Sequence, residues 1–380
     1  MNEHASHTSG TIALDAYSAA VKDTDVLAMD ETGPVLMGLY GEVGGIMTTA
    51  KKLVREKGAF PDHRAAAQEE FGDALWYLAA YCRRTRVSLE SIFSDATTHA
   101  PCVSMLAASD LPSGAVAHVT TPAQQADIDH ALFQLGRAAA ALLDSPTDIA
   151  LTRARLVVFA SCYLSTLHAA GFSFAHIARL NIAKTRGAFL SPDPASLPRF
   201  DDEFDSEEQL PSSFRIRIDQ RSSGRSYMRW NGVFIGDPLT DSIGDPDGYR
   251  FHDVFHFAHA AILHWSPVFR ALIKQKRKSS GRHDDAEDGG RAIVVEEGLT
   301  AWIFSRAKGL DYFDGQTRIS LGLLKTIEEF TKGYEVRHCP LKLWENAILQ
   351  GYAVFRSVRE AKGGWVEGDR KSRTLRFEHL

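Results

Sequence analysis

The chain carries acidic residues at helical spacing at the start of an apolar run. In the stretch EEFGDALWYL, which begins at Glu69, residues Glu70 and Asp73 are three apart and would share one face of a helix. A second predicted helix, over residues 34–57, offers Glu42 among glycines that permit close helix approach. Carboxylates that converge from two helices are the oxygen ligands that Mg²⁺ or Mn²⁺ prefers. The alternative is that Glu70 and Asp73 form an ordinary solvated helix turn.

The residues around these acids carry a family resemblance. GLYGEVGG and EEFGDALWYLA resemble the all-α nucleoside triphosphate pyrophosphohydrolases of the MazG kind, whose signature is Glu-x-x-Glu on one helix and Glu-x-x-Asp on the next. GFSFAHIARLNIAKTRGAF is similar to the end of the same domain. The resemblance covers about the first 190 residues. It implies hydrolysis of an NTP or dNTP to a monophosphate and pyrophosphate with Mg²⁺ (or Mn²⁺), in a tight helical dimer and thus a homo-oligomer.

The same resemblance assigns roles to individual residues and shows one departure. It places metal binding on Glu42, Glu70 and Asp73, whereas Gly45 stands where the family has its second glutamate. Glu69 is a substitute ligand and the group best placed to activate the attacking water, so Glu69 and Glu70 are the predicted catalytic residues. Whether three carboxylates support turnover decides between an enzyme and a nucleotide-sensing module.

Several basic and amide side chains are candidates for contact with the phosphates. Lys51 and Lys52 lie two to three turns beyond Glu42 on the same predicted helix. In the family-like tail, Asn181 and Lys184 occupy the positions where the resemblance expects an Asn and a Lys, and Arg186 follows them. We expect these five residues to bind the triphosphate.

Residues 125–190 echo the helices that precede them. FSFAHI parallels VSLESI, each after a long apolar helix, and QLGRAAAALL matches GLYGEVGGIM in shape. This similarity indicates a diverged internal repeat. A chain with two copies would contain its own pseudo-dimer.

The composition changes after the first 190 residues. Residues 191–213 are rich in proline and acids and are predicted to form a linker, followed by a domain over 214–380. FRIRIDQ alternates as a strand does, Asn231-Gly232 is a turn signal, and the C-terminal tail could return as a strand. Helical patterns dominate the remainder, roughly over 249–277, 291–308, 319–333 and 341–361. The predicted fold class is mainly α: an N-terminal all-α bundle and a mostly helical C-terminal domain with a small β element.

A histidine stripe marks a second candidate site in this C-terminal domain. His252, His256 and His259 fall at i, i+4 and i+7 on a helix, and the first two have the spacing of paired zinc ligands. Acids that could join them are Asp253, Asp245, Glu296 and Glu297. The cluster could hold a second divalent metal or bind phosphate. Alternatively, the histidines pack against aromatic rings and hydrogen-bond to the acids.

Composition narrows the partners. The 380 residues suit two or three domains, and a net charge of −5 argues against nucleic acid and anionic membranes. The basic block at 274–282 lacks interleaved aromatic residues, so we expect a solvated loop. The cysteines form no CxxC pair, the N-terminus has no apolar signal region, and no uncharged apolar run reaches membrane-spanning length. These features predict a cytoplasmic protein.

Three interpretations remain, of which the third is a scaffold in which both clusters are structural. The first is a Mg²⁺-dependent pyrophosphohydrolase that controls nucleotide pools. The second is a nucleotide sensor whose degenerate site regulates the C-terminal domain. That domain would be an effector or a metal-dependent phosphohydrolase. By analogy, a sensor of this kind suits stress or phage defence.

Overall fold

The computed structural model describes residues 14–99, 104–107, 117–120, 127–144, 148–241 and 244–380. Its contacts divide the chain into two units, one that ends at Arg186 and one that begins at Gly187. The described parts are mainly helical with a small antiparallel sheet, which confirms the predicted fold class.

The N-terminal unit is built from antiparallel helix pairs. Its helices are α1 (Leu14–Lys22), α2 (Gly33–Glu56), α3 (His63–Thr85), α4 (Leu89–His99), α5 (Ile128–Leu142), α6 (Ile149–Ala169) and α7 (Phe174–Phe189). α2 packs along α3 and α5 along α6, while α2 also contacts α5 and α4 contacts α6. The repeat proposed for residues 125–190 stays a prediction.

This unit is not purely helical. Strands β1 (Ser104–Ala107) and β2 (Ala117–Thr120) pair in antiparallel fashion between α4 and α5. The sequence predicts an irregular connector there, because the stretch is rich in small residues and lacks a clear alternating pattern.

The core of the N-terminal unit surrounds one buried tyrosine. Tyr163 on α6 is fully buried, and its hydroxyl donates to the backbone oxygen of Phe71 at 2.8 Å. The rings of Phe71, Phe93 and Phe174 contact it edge-on, at centroid distances of 5.6 to 6.4 Å. These contacts join α3, α4, α6 and the start of α7, and so fix the helices that carry the acids.

Helix α6 also has the length and composition of a membrane-spanning helix, the one such helix among the described residues. It contains Arg153 and Arg155. Phe159 and Leu167, like Tyr163, are fully buried within the unit. Its apolar side chains thus build the core.

The C-terminal unit packs helices on one five-stranded antiparallel sheet in the order β5-β4-β3-β6-β7. The strands are β3 (Ser213–Gln220), β4 (Ser226–Trp230), β5 (Val233–Leu239), β6 (Gly363–Asp369) and β7 (Thr374–Glu378). Side chains on β3 alternate as predicted, with Phe214, Ile216 and Ile218 buried. Asn231 and Gly232 both have positive φ, which makes the expected β4–β5 turn.

The helices of this unit are α8 (Asp253–Ala258), α9 (Pro267–Ile273), α10 (Gly281–Ala286), α11 (Gly290–Ala307), α12 (Leu321–Thr331) and α13 (Leu341–Ala361). The single helix predicted over 249–277 is wrong. α8 runs into one π-helical turn, His259–Leu263, and His264 then adopts a left-handed φ of 60°. Ser266 caps a new helix through the Phe269 N–H, with Pro267 in its first turn.

The segment 191–213 is not a linker. Leu197 and Leu210 are part of the core of the C-terminal unit, and Asp201 is 1% exposed. The Asp201 carboxylate accepts from Arg270 at 2.7 Å and from Arg370 at 2.6 Å. The segment is therefore fixed to the C-terminal unit by buried ion pairs and is not a flexible spacer.

The basic block at 274–282 is also not wholly solvated. Arg277 is fully buried and binds Asp288 at 2.7 Å and Glu335 at 2.6 Å. It also donates to the backbone oxygen of Phe200 at 2.8 Å. Burial with two acidic partners makes Arg277 part of the unit's internal scaffold.

Candidate functional site

The facing surfaces of α2 and α3 bring the predicted acids together in a regular antiparallel register. A Cβ atom on Gly38 would lie 2.2 Å from the Tyr77 ring, and a Cβ on Gly45 would lie 2.0 Å from Oε2 of Glu70. Between these two contacts, Glu42 and Asp73 are close enough for the charge of one to shift the pKa of the other. Positions i, i+4 and i+7 of α2 thus meet Tyr77, Asp73 and Glu70 on α3.

Gly45 supplies space for the Glu70 carboxylate. The Oε2 and Cδ atoms of Glu70 occupy the volume where any side chain at position 45 would begin. Glu42, one turn earlier, is hydrogen-bonded to Glu70. Burial, the charge of Asp73 and the bond to Glu70 raise the pKa of Glu42 to about 8. The absence of a side chain at Gly45 therefore lets the Glu70 carboxylate approach α2 closely, without adding a carboxylate to the cluster.

Helix α7 closes the other side of the acid cluster. The Asn181 amide donates to Oδ1 of Asp73 at 3.1 Å, and Lys184 pairs with Oδ2 of Asp73 and with Oε1 of Glu69, the latter at 2.7 Å. Burial opposes the charge on Lys184, but Asp73 and Glu69 outweigh it and raise the pKa of the ammonium group. Three of the predicted roles, those of Glu69, Asn181 and Lys184, thus fall at one place.

Two tyrosines that the sequence did not predict as site residues also belong to the acid cluster. The Tyr17 hydroxyl, fully buried on α1, donates to Oδ1 of Asn181 at 2.8 Å and so orients its amide group toward Asp73. Tyr77 lies over Gly38, and burial followed by the charges of Glu42 and Asp73 raises its pKa. The spacing of Gly38 and Gly45, seven residues apart around Glu42, is the sequence signal that could have found Tyr77.

The structure does not bring the remaining predicted phosphate ligands to the acids. Lys51 is exposed nine residues beyond Glu42, about 13 Å along the helix axis. Lys52 is also exposed and lies over the Phe60 ring at 6.0 Å. Arg186 is exposed, and a separation of two residues turns it away from the face of α7 that carries Lys184.

The acid cluster suits a hard dication by its donor chemistry. Glu42, Glu70 and Asp73 offer carboxylate oxygens from two helices, the ligand type that Mg²⁺ prefers. Burial first, and then the charge of Asp73, raise the pKa of Glu42, and the positive charge of a bound dication would oppose both effects. The residues present therefore fit the metal that the family resemblance implies.

The second cluster, in the C-terminal unit, is organised by Glu296 on α11. Glu296 is fully buried and accepts hydrogen bonds from His259 Nδ1 at 2.9 Å, the Ser266 hydroxyl at 2.9 Å and the Val268 N–H at 2.9 Å. Burial would raise the pKa of Glu296, but its interactions with His256 and then with His259 lower it to about 2. Glu296 is thus a satisfied structural carboxylate that joins α11 to the π-helical turn and α9.

Glu297, the next residue on α11, faces His252 and His256. Its Oε2 atom lies 3.4 Å from Nε2 of both histidines, and its side chain is 38% exposed. One ligand atom each of His252, Asp253 and His256 lie within 4.8 Å of one another, and the same holds for His256, His259 and Glu296. Among the described residues, these two groups are where three metal-ligand atoms converge most closely.

One predicted member is absent from this cluster. Asp245 is exposed in the preceding loop, whereas the cluster histidines are buried. The buried acid of that loop is Asp247, which pairs with Lys308 at 3.1 Å. Asp253 is buried at the start of α8, and burial raises its pKa. The loop acids therefore fix the loop, and the cluster draws its carboxylates from α8 and α11.

Comparisons with known proteins relate this chain to one family. Residues 195–380 match the family model of the MazG C-terminal domain. Gene 37 protein of Mycobacterium phage L5 is 32% identical over 88 residues, which are 21% of this chain and 77% of that protein. No solved structure gives a significant match. The family match begins within the segment 191–213 and includes the whole histidine cluster.

Proposed function

Because the chain belongs to the MazG-related proteins, we propose that its N-terminal unit hydrolyses a nucleoside triphosphate to the monophosphate and pyrophosphate. The substrate is an NTP or dNTP, and the reaction depends on Mg²⁺ or Mn²⁺. One observation carries this proposal. Glu42, Glu70 and Asp73 converge from two antiparallel helices, with the Lys184 ammonium group of a third helix at their edge.

In this proposal, the three carboxylates bind the metal and Lys184 contacts the phosphates. Glu42, Glu70 and Asp73 would hold the dication, which when bound neutralises phosphate charge and polarises the phosphoryl group that is attacked. Lys184 pairs with Asp73 and Glu69, whereas Lys51, Lys52 and Arg186 are exposed, so of these predicted basic residues we propose Lys184 as the phosphate contact. Asn181, held by Tyr17, keeps Asp73 oriented.

Glu69 is the proposed general base. Its carboxylate is partly exposed and lies beside Asp73 through their shared partner, Lys184. The ion pair with Lys184 favours the ionised form of the Glu69 carboxylate, which is the form that can accept a proton from water. Transfer of that proton would accompany attack of the water oxygen on the phosphorus atom at which the pyrophosphate group leaves.

A second candidate function is nucleotide sensing without turnover. Two observations favour it: Gly45 supplies no acid of its own, and Lys184 already neutralises Asp73 and Glu69. A cluster with one carboxylate fewer than the family motif would bind a triphosphate more readily than it would hydrolyse it. Binding would then regulate the C-terminal unit, in a setting such as stress or phage defence.

One experiment separates these functions. The full chain is incubated with each NTP and dNTP, with Mg²⁺ or Mn²⁺, and the products are resolved by anion-exchange chromatography. Glu70→Gln removes one proposed metal ligand with little change in volume. Glu56→Gln, at the exposed end of α2, is the matched control because its ion pair with Arg55 lies on the surface.

Pyrophosphate release by wild type and Glu56→Gln, but not by Glu70→Gln, supports the enzyme. Binding of a nucleotide without product, lost in Glu70→Gln alone, supports the sensor. Neither binding nor turnover by the folded wild-type protein would reject both. Equal activity in Glu70→Gln and Glu56→Gln would show that the acid cluster is not the site.

A further inference from the structure

The histidine cluster of the C-terminal unit brings imidazole nitrogens and carboxylate oxygens to separations that suit a metal ion. The Nε2 atoms of His252 and His256 each lie 3.4 Å from the same carboxylate oxygen, Oε2 of Glu297. These separations are too long for a good hydrogen bond. A tetrahedral ion with bonds of about 2.1 Å holds its ligand atoms about 3.4 Å apart.

The opposite nitrogen of each imidazole ring faces a protein acceptor. Nδ1 of His252 donates to the backbone oxygen of Tyr249 at 3.0 Å, and the Tyr249 ring stacks on the imidazole at 4.4 Å. Nδ1 of His256 lies 3.0 Å from Oε1 of Glu296, which other donors hold in place. Histidines that ligate metals are oriented in this way, because the outer partner selects the ring tautomer that leaves Nε2 free.

His256 supplies a second, independent observation. Its side chain is 0% exposed, and neither ring nitrogen meets the geometry of a hydrogen bond, although Nδ1 lies 3.0 Å from Glu296 and Nε2 lies 3.4 Å from Glu297. A buried polar group without a partner is costly. An ion at Nε2 would give this nitrogen a partner, while Nδ1 faces the Glu296 carboxylate at 3.0 Å.

The site is buried on one side and open on the other. His256 is enclosed, whereas the side chains of His252 and Glu297 are 11% and 38% exposed. Asp253 places a carboxylate oxygen in the same group as the two histidines. The chain can thus provide three or four ligands and leave one position toward solvent, the arrangement of reactive rather than purely structural metal sites.

We propose that the C-terminal unit binds one first-row transition-metal dication through His252, His256 and Glu297, with Asp253 as a further ligand. Two imidazoles with carboxylates select Zn²⁺, Fe²⁺ or a similar ion over Mg²⁺, which prefers oxygen ligands alone. Glu296 and Tyr249 orient the two rings. This site is separate from the acid cluster and does not depend on the function proposed for the N-terminal unit.

The test uses Co²⁺ as a spectroscopic probe on the full chain. The protein is stripped with a chelator and titrated with Co²⁺ in excess Mg²⁺, which saturates oxygen-only sites. Visible absorption reports the coordination, and elemental analysis reports the ion-to-chain ratio. The ligand variants are His252→Ala and Glu297→Gln, both at partly exposed side chains. The matched controls, His338→Ala and Glu360→Gln, change exposed residues of the same unit.

We expect one Co²⁺ per chain, displaced by Zn²⁺, with affinity at least 10-fold weaker in each ligand variant and unchanged in the controls. Glu70→Gln should bind as wild type, because its acid lies in the other unit. Circular dichroism and thermal unfolding confirm that each variant is folded. Failure of the folded wild type to bind Co²⁺ would overturn the proposal, as would wild-type affinity in both His252→Ala and Glu297→Gln.

Discussion

Replacing Gly45 with alanine should separate the stability of α2 from the function of the acid cluster. A Cβ at this position would lie 2.0 Å from Oε2 of Glu70, while an ordinary contact begins at 3.4 Å. The Glu70 carboxylate must therefore move by about 1.4 Å, and since it ends a flexible side chain it can do so at little cost to the fold. Glycine to alanine inside a helix meanwhile stabilises it by up to about 1 kcal/mol.

The displacement of the Glu70 carboxylate in Gly45→Ala should reduce the metal-dependent activity. A displacement of about 1 Å in a positioned group can reduce the rate about 100-fold, which corresponds to roughly 2.7 kcal/mol in the transition-state free energy. We therefore expect Gly45→Ala to lower kcat/KM by about that factor and to shift the Mg²⁺ dependence to higher concentration. Its Tm should stay equal to wild type or rise.

The neighbouring residue Gly44 provides the matched control. A Cβ on Gly44 meets nothing within 4 Å, so Gly44→Ala gains the same helix preference without touching Glu70. Pyrophosphate release against Mg²⁺ concentration and Mn²⁺ binding, followed by electron paramagnetic resonance, measure the two variants in parallel. Mn²⁺ binding reports on the site even without turnover. Equal Mn²⁺ affinity and equal activity in the two variants would refute the placement of Glu70 over Gly45.

Two further predictions concern the stability of the C-terminal unit. Arg277→Met should lower the free energy of unfolding of this unit by about 3–5 kcal/mol, because the substitution leaves Asp288 and Glu335 without their buried cation. Lys278→Met, at an exposed position, should change the free energy of unfolding little. Urea unfolding measures both variants. Burial, then the charges of Arg370 and Arg373, lower the pKa of His264 to about 3. The unfolded chain binds this proton first, near pH 6.5, so stability should fall from pH 6.5 toward 3, by roughly 4 kcal/mol at most. His264→Asn, which tolerates the left-handed φ, should flatten this dependence; an unchanged pH profile would contradict the assignment.

The helices and the acid cluster followed from local sequence because both depend on short-range spacing. Glu70 and Asp73 had to share a face wherever α3 lay, and the glycines of α2 indicated a close neighbour. The role of Gly45 in admitting the Glu70 carboxylate could not be predicted from the sequence around Gly45 alone. Whether a missing side chain leaves a gap or admits another depends on the register between two helices, which only the folded pair defines.

The two predictions that were wrong in the C-terminal half, the linker and the helix over 249–277, failed for a similar reason. The segment around Asp201 reads as a linker because its partners, Arg270 and Arg370, are 69 and 169 residues away. The helix predicted over 249–277 breaks at His264, where a hydrogen bond from Nε2 to the Arg370 backbone oxygen helps hold the left-handed residue. Distant partners override local preference in both places.

The register between α2 and α3 also constrains how this chain can vary. The contacts at Gly38, Glu42 and Gly45 step along α2 in intervals of four and three residues, and their partners step back along α3 by the same intervals. Inserting or deleting one residue within that stretch would rotate everything beyond it by about 100° and misalign the remaining contacts. Substitutions around the cluster can be absorbed one at a time, but a change in length cannot. The seven-residue interval from Gly38 to Gly45 is thus the feature that related chains with the same site must preserve.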